Sequence, residues 1–367
     1  MHIGAEDVAA LAEGAAVLGT GGGGNTYLAG LDLRRVLGKS RTIALLDPAD
    51  VPDEAWGPVV SGMGAPTVGI ERLPTAGRFG RLVRAAERAE GRQAEFVAIG
   101  EIGGANALRP LCGAAECDLP VVDADPMGRA FPELQMATYM IDGILPVPLV
   151  LSDGKGVEAV LTAVPDSTTA ERYGRALTWG MGGSTGLVLG KVRGADVRRV
   201  GIPHTLSLAL ALGRAMARAR AEKRPTPLAI AEVVAGTRAL FTGKVVDVAR
   251  RTALGFARGT FTLAGLDGDR GERLEIDFQN EFLVARRPDG EALATVPDLL
   301  VLVERESGRA LGTELVRYGL RLDVLALPAP RELRTEAALR VVGPAAFGYD
   351  LPYRPLPGDL LGRAQSA

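Results

Sequence analysis

Histidine and cysteine are scarce in this chain, at two residues each among 367. Cys112 and Cys117 are too few for a disulfide framework or a cysteine zinc site. His2 and His204 are likewise too few for a His-rich zinc or iron centre. No apolar run approaches the roughly 18 residues of a membrane span. Neither sign of charge dominates, with 42 basic and 44 acidic residues and a net charge of −2. The balance offers no electrostatic footprint for nucleic acid and none for an anionic membrane surface. The N-terminal stretch "MHIGAEDVAALAEGAAVLGT" lacks a basic region and places Glu6 and Asp7 ahead of its apolar residues, so it does not read as a signal peptide, and the cytoplasm is the expected compartment. Nucleophile signatures are missing too: there is no G-x-S-x-G, no His partner for either cysteine, and no EF-hand or HExxH spacing.

What the chain does have is ordinary globular material, 47% hydrophobic, with 48 glycines. Its length exceeds what one hydrophobic core usually serves, so two domains are expected. Through about residue 166, short apolar runs alternate with helical patterns. The runs are "TIALL", "GPVV", "EFVAIG", "LPVV" and "PLVL", and the alternation predicts an α/β domain with a mainly parallel sheet. Residues 167–355 read first as mixed and then as β-rich, with turn signals at Asp267-Gly268 and Asp289-Gly290. A tail covers 356–367.

Each apolar run of the first domain ends in glycine, acids or small polar residues: Asp47-Pro48, "SGMGAP", "EIGGAN", "DADPMGRAFPE" and "SDGKG". Ligands of open α/β sheets bind outside the carboxyl ends of the strands, so these five loops predict one convergent site, although strand-to-helix loops are polar for ordinary reasons as well. Glu101 directly follows a buried strand, where desolvation raises a carboxyl pKa towards acid or base usefulness. Asn106 offers a donor and an acceptor, or a helix cap. Asp123 and Asp125 flank a small Ala and either split their pKa values, share a metal or cap a helix. Arg129 is the first cation available to balance them, at a site or as a structural partner. In "EIDFQNEF", strand alternation puts Asn280 on the otherwise apolar face, so either the strand bulges there or Asn280 belongs to a polar site at the domain interface. A carboxylate cluster would favour Mg²⁺ or Mn²⁺; that is the minor alternative to a site with no cofactor.

The run Gly21, Gly22, Gly23 and Gly24, followed by Asn25, needs a use, since bare backbone loses the most freedom on folding. With Gly19 it satisfies G-x-G-x-x-G, and Asp47 follows Gly24 by 23 residues, which imitates a dinucleotide fingerprint. Helical periodicity, however, starts as early as Glu6 and runs into the glycines. No Gly-Lys-Ser/Thr follows, which excludes a Walker A loop. The broader expectation is a wall of amides for an anion or a developing oxyanion.

"GTGGGGN", "SGMGAP", "EIGGAN", "LPVVDADPMGRAFPELQM", "LSDGKG", "DFQNEF", "VPDLLVLV", "TELVRYG" and "GPAAFGYD" occur in this order, and in this the chain resembles the S-methyl-thiohydantoin desulfurase-like family over nearly its whole length. The resemblance implies an α/β part followed by a β-rich part, and a small cyclic amide or thioamide as substrate, with hydrolytic C–S cleavage giving a hydantoin. Members often accompany hydantoinase or oxoprolinase genes, so a hydantoinase-type partner or a homo-oligomer is a further expectation. Under that resemblance, Glu101 or Asp123 serves as base, with Arg129 and the Gly21 to Gly24 amides stabilising charge. Asn25, Asn106, Asp125 and Asn280 complete the expected substrate-binding set. Metal-assisted hydrolysis of a cyclic ureide, nucleotide binding, and a non-catalytic accessory subunit are the alternatives.

Overall fold

The computed structural model describes residues 1–71, 75–253 and 256–362. The first helix, Val8–Leu18, buries Val8, Leu11, Ala15, Val17 and Leu18. It lies antiparallel to the long helix Thr205–Ala221. The two backbones touch: a Cβ on Gly14 would fall 1.7 Å from the Ala209 carbonyl oxygen, and one on Gly213 would fall 1.7 Å from that of Ala10. The second helix, Thr26–Leu37, starts at Asn25, whose Oδ1 accepts from the Leu28 amide at 3.0 Å, an ordinary N-cap.

The α/β part does not carry the mainly parallel sheet expected from the alternating pattern. Its five-stranded sheet runs in the order Ala98–Ile99, Val59–Gly64, Ser184–Leu189, Leu149–Ser152, Glu158–Leu161, and only the first pair is parallel. Beside it, Ile43–Leu46 pairs in parallel with Val121–Val122 and antiparallel with His2–Ile3. The physical reason lies in two segments. In "SDGKG", Asp153 Oδ1 collects the amides of Lys155, Gly156 and Val157 at 2.7–3.1 Å, closing a tight turn that sends the chain straight back as a hairpin. No long crossover connection intervenes, and parallel pairing requires one. The strand Ser184–Leu189, which lies beyond the change of sequence pattern at about residue 167, then inserts antiparallel in mid-sheet.

The β-rich part is one antiparallel sheet of eight strands: Ala292–Thr295, Glu281–Arg286, Arg273–Gln279, Phe256–Gly265, Arg238–Ala253, Arg321–Leu327, Leu299–Glu304 and Arg309–Ala310. Period-two alternation gives it two apolar faces. Phe241, Phe261, Phe278, Phe282, Leu302 and Val324 form a separate cluster on one face, with the Phe261 and Phe282 rings edge-to-face at 5.8 Å. Leu283, Val301, Val303, Leu325 and Leu327 instead join the core of the α/β part, which fastens the two together. The C-terminal segment packs back as well: Leu356, Leu360 and Leu361 are buried, and the Leu356 amide donates to Asp298 Oδ2 at 2.9 Å. Among the described residues, no helix is long and apolar enough to cross a membrane.

Candidate active site

Three of the five strand-end loops meet in one place. "SGMGAP", "EIGGAN" and the later part of "DADPMGRAFPE" line a cavity of about 390 Å³ together with Gly23, Gly24, Asn25, Asn280 and Glu281. That volume falls within the range of small-molecule pockets. The other two loops are occupied locally: Asp47 caps the short 3-10 helix Pro48–Asp50, and "SDGKG" forms the hairpin described above.

Glu101 sits at the cavity floor, 5% exposed, at the end of the strand Ala98–Ile99. Its Oε1 accepts from the Phe131 amide at 3.0 Å, and its Oε2 accepts from Asn106 Nδ2. The Oδ1 of Asn106 in turn accepts from Arg109 Nη1, giving a chain from guanidinium to amide to carboxyl. Burial pushes the Glu101 pKa up to about 7, with Asn106 and the Phe131 amide pulling the other way. A carboxyl shifted towards neutrality in this way suits proton transfer, because a general acid or base works best with its pKa near the operating pH. Arg109 has its own pKa pushed down to about 10, by burial first and then by the neighbouring Arg78.

Glu281, 2% exposed, enters the same cavity from the β-rich part. The puzzle of "EIDFQNEF" resolves here. The strand Arg273–Gln279 ends, Asn280 turns the chain at φ 58°, and the next strand begins at Glu281, with Gln279 and Glu281 paired. Asn is among the few residues that tolerate this left-handed conformation. Asn280 Oδ1 accepts from the Ala257 amide at 2.9 Å and its carbonyl accepts from Thr313 Oγ1 at 2.7 Å, so it builds the hairpin tip that presents Glu281. Burial, and then the charge of Glu101, hold the Glu281 carboxyl well above the usual carboxylate range, with Arg129 opposing.

The glycine run is the seam between these elements. A Cβ on Gly21 would meet the Phe282 ring at 2.6 Å, one on Gly22 the Glu281 carboxylate at 2.0 Å, and one on Gly23 the Gly103 carbonyl at 2.1 Å. Gly21, Gly23 and Gly24 also take positive φ. The Phe282 amide donates to Thr20 O at 2.7 Å, and the Ala105 amide donates to Gly24 O at 3.1 Å, tying hairpin and floor loop to the run. Gly23 and Gly24 reach the cavity; Gly21 and Gly22 stand behind it. A helix, not a strand, precedes the glycines, so the strand that a dinucleotide fingerprint needs is not there.

Asp123, Asp125 and Arg129 lie outside the cavity lining. Asp123 accepts from the Leu206 and Ser207 amides at 2.8 and 3.2 Å and from Ser207 Oγ, at the start of Thr205–Ala221. His204 is the N-cap residue there, with Nδ1 3.9 Å from Asp123 Oδ2, and that carboxylate raises its pKa. Asp125, 0% exposed, accepts from the amides of Ile102, Met127 and Gly128 at 3.0–3.2 Å, and burial lifts its pKa to about 6. Arg129, also 0% exposed, donates to the carbonyls of Ala130, Pro297, Asp298 and Phe282 and to Thr20 Oγ1, at 2.7–3.2 Å. It clamps the two parts together. A divalent metal needs carboxylate lone pairs that are available, whereas those of Asp123 and Asp125 receive amide and hydroxyl donors. Among the described residues, no group of three or more His, Cys, Asp and Glu is placed to hold a metal.

Arg109 and Glu281 were not singled out as site residues by the sequence. Arg109 did leave a trace, as a cation in the first turn of the helix Arg109–Cys117, where the macrodipole disfavours it. Glu281 left only the broken alternation beside it.

Fold and cavity together define a class of protein: an α/β part with a carboxyl-bearing pocket that an antiparallel sheet closes from above. Residues 6–163 match the S-Me-THD-like N-terminal domain and residues 165–356 the S-Me-THD-like C-terminal domain, so the chain belongs to the S-methyl-thiohydantoin desulfurase-like family. Its structure is similar to the X-ray structure of a protein from Chromobacterium violaceum, with a TM-score of 0.78 and 26% identity, over 97% of this chain and 99% of that one. No curated protein matches the chain.

Proposed function

We propose that the protein hydrolyses a small cyclic thioamide derivative, of the S-methyl-thiohydantoin type, to a hydantoin and methanethiol. The observation that carries this reading is Glu101: a floor carboxyl with a pKa of about 7, oriented through Asn106 and the Phe131 amide, in a cavity of small-molecule size. The Glu101 carboxylate takes a proton from water as its oxygen adds to the ring carbon that bears sulfur, then returns that proton to the ring nitrogen. Asn106 and Arg109 hold the base in place. The amides of Gly23 and Gly24, which donate to no other described residue, offer stabilisation to charge developing on the ring. Collapse of the adduct breaks the C–S bond. The reaction calls for no resident metal or cofactor.

Free-thiol release from S-methyl-thiohydantoin tests this. Glu101→Gln is expected to slow release by about 10²- to 10⁴-fold, with the fold retained by circular dichroism. An unchanged rate in that variant, or no release by the wild-type protein, would overturn the proposal.

A further inference from the structure

The water-activating half of the reaction leaves Glu281 without a task, although the fold takes pains to bury it in the cavity. One of its oxygens packs against the backbone of Gly22, and the other, Oε2, is buried with no hydrogen-bond partner among the described residues. A buried carboxylate oxygen with no partner carries the full penalty of its lost hydration. That cost falls when the group is neutral and when a ligand supplies the missing contact. The charged groups acting on Glu281 are Glu101 from the floor, Arg129 from the clamp and Arg175 from the helix Ser167–Gly180. Glu101 and Glu281 line one cavity, and two carboxyl groups in one desolvated site do not both ionise readily: one keeps a proton.

We propose that Glu281, delivered by the hairpin tip of the β-rich part, is the proton donor to the departing sulfur. This rests on the hydrolytic reading above and assigns its second half. In the tetrahedral adduct the C–S electron pair moves to sulfur, which takes the Glu281 proton and leaves as methanethiol. The adduct hydroxyl becomes the hydantoin carbonyl, and its proton passes to the Glu101 carboxylate. Glu101 then restores a proton to Glu281, so that substrate and water are converted to hydantoin and thiol with no net change in the protein. The catalytic pair thus comes from both parts of the chain, and neither part holds it alone.

Leaving-group dependence separates this role from a structural one. An alkanethiolate needs the proton; a nitrophenylthiolate departs without it. Glu281→Gln is expected to slow release from the S-methyl ring by about 10²-fold or more and from the S-(4-nitrophenyl) analogue by less than about fivefold, whereas Glu101→Gln slows both alike. Equal slowing of both substrates by Glu281→Gln, or slowing of neither, would overturn the donor role while leaving the hydrolytic reaction standing. A wild-type protein inert towards both thioethers would overturn the reaction and the role together. A second measurement needs no turnover: the infrared difference between wild type and Glu281→Gln at pH 7 should contain the carbonyl band of a protonated carboxyl, and its absence would overturn the role.

Discussion

The loops "EIGGAN" and "DADPMGRAFPE" both follow buried strands, both carry acids, and both pack under the glycine run, yet their carboxyl groups do different work. Asp125 is less exposed than Glu101 and has four donor contacts from three amides, so both of its oxygens are engaged in holding the loop. Asp123 is spent on the end of a helix. Glu101 has one amide and one side-chain donor, and it faces a cavity. Burial alone therefore does not make an acid functional. What distinguishes Glu101 is burial with incomplete internal satisfaction beside a space that a ligand can enter.

Four substitutions would break or sharpen this contrast. The largest expected effect on stability is at Arg129, where Arg129→Met removes five donations and leaves buried carbonyls unpaired between the two parts. A loss of about 3–4 kcal/mol in urea unfolding is expected; a loss below about 1 kcal/mol would show that the clamp is not what joins them.

Glu101 should behave in the opposite sense, as functional groups that tolerate strain do. Its folded pKa of about 7 lies above its ordinary value of 4.5, so the folded state binds the extra proton between those limits. The stability it contributes is present below about pH 4.5 and is lost as pH rises through 7. Glu101→Gln cannot ionise and escapes that loss, so by pH 8 it should gain on wild type by roughly 3 kcal/mol in denaturant titrations. A stability difference that does not move between pH 4.5 and 8 would contradict this.

At Asp125 the cost should lie in folding. Asp125→Ala orphans the Ile102, Met127 and Gly128 amides and is expected to cost about 2–3 kcal/mol, with the midpoint of chemical unfolding as the measurement. The smallest effect belongs to Asp123. Asp123→Ala removes an N-terminal acceptor from Thr205–Ala221 and should cost about 1 kcal/mol, leaving thiol release per folded molecule near wild type. A loss of catalysis there comparable to that of Glu101→Gln would return Asp123 to the site.

Much of the site was legible in the sequence because it obeys local rules. A buried strand that leads to Glu101, a glycine run before a capped helix, and an Asn out of step with its strand are all visible in windows of ten residues. Asn280 was legible as an anomaly but not as a turn, since the hairpin is set by pairing of Gln279 with Glu281 and by the Ala257 backbone. Strand direction was less legible. "PLVL" followed by "SDGKG" reads equally well as a strand end over a crevice or as a hairpin, and only the three amides gathered by Asp153 decide it.

The sequence by itself determined the two-part layout and most helices and strands, because hydrophobic period and turn chemistry act between near neighbours, while its ordered motifs carried the family resemblance. The tertiary structure decided which acids are free to act. Asp123 meets its donors 83 residues away, Arg129 meets the Asp298 carbonyl 169 residues away, and Glu281 reaches the cavity of Glu101 from another sheet. A carboxyl pKa depends on desolvation and on the donors and charges around it, and here the long-range fold supplies most of them.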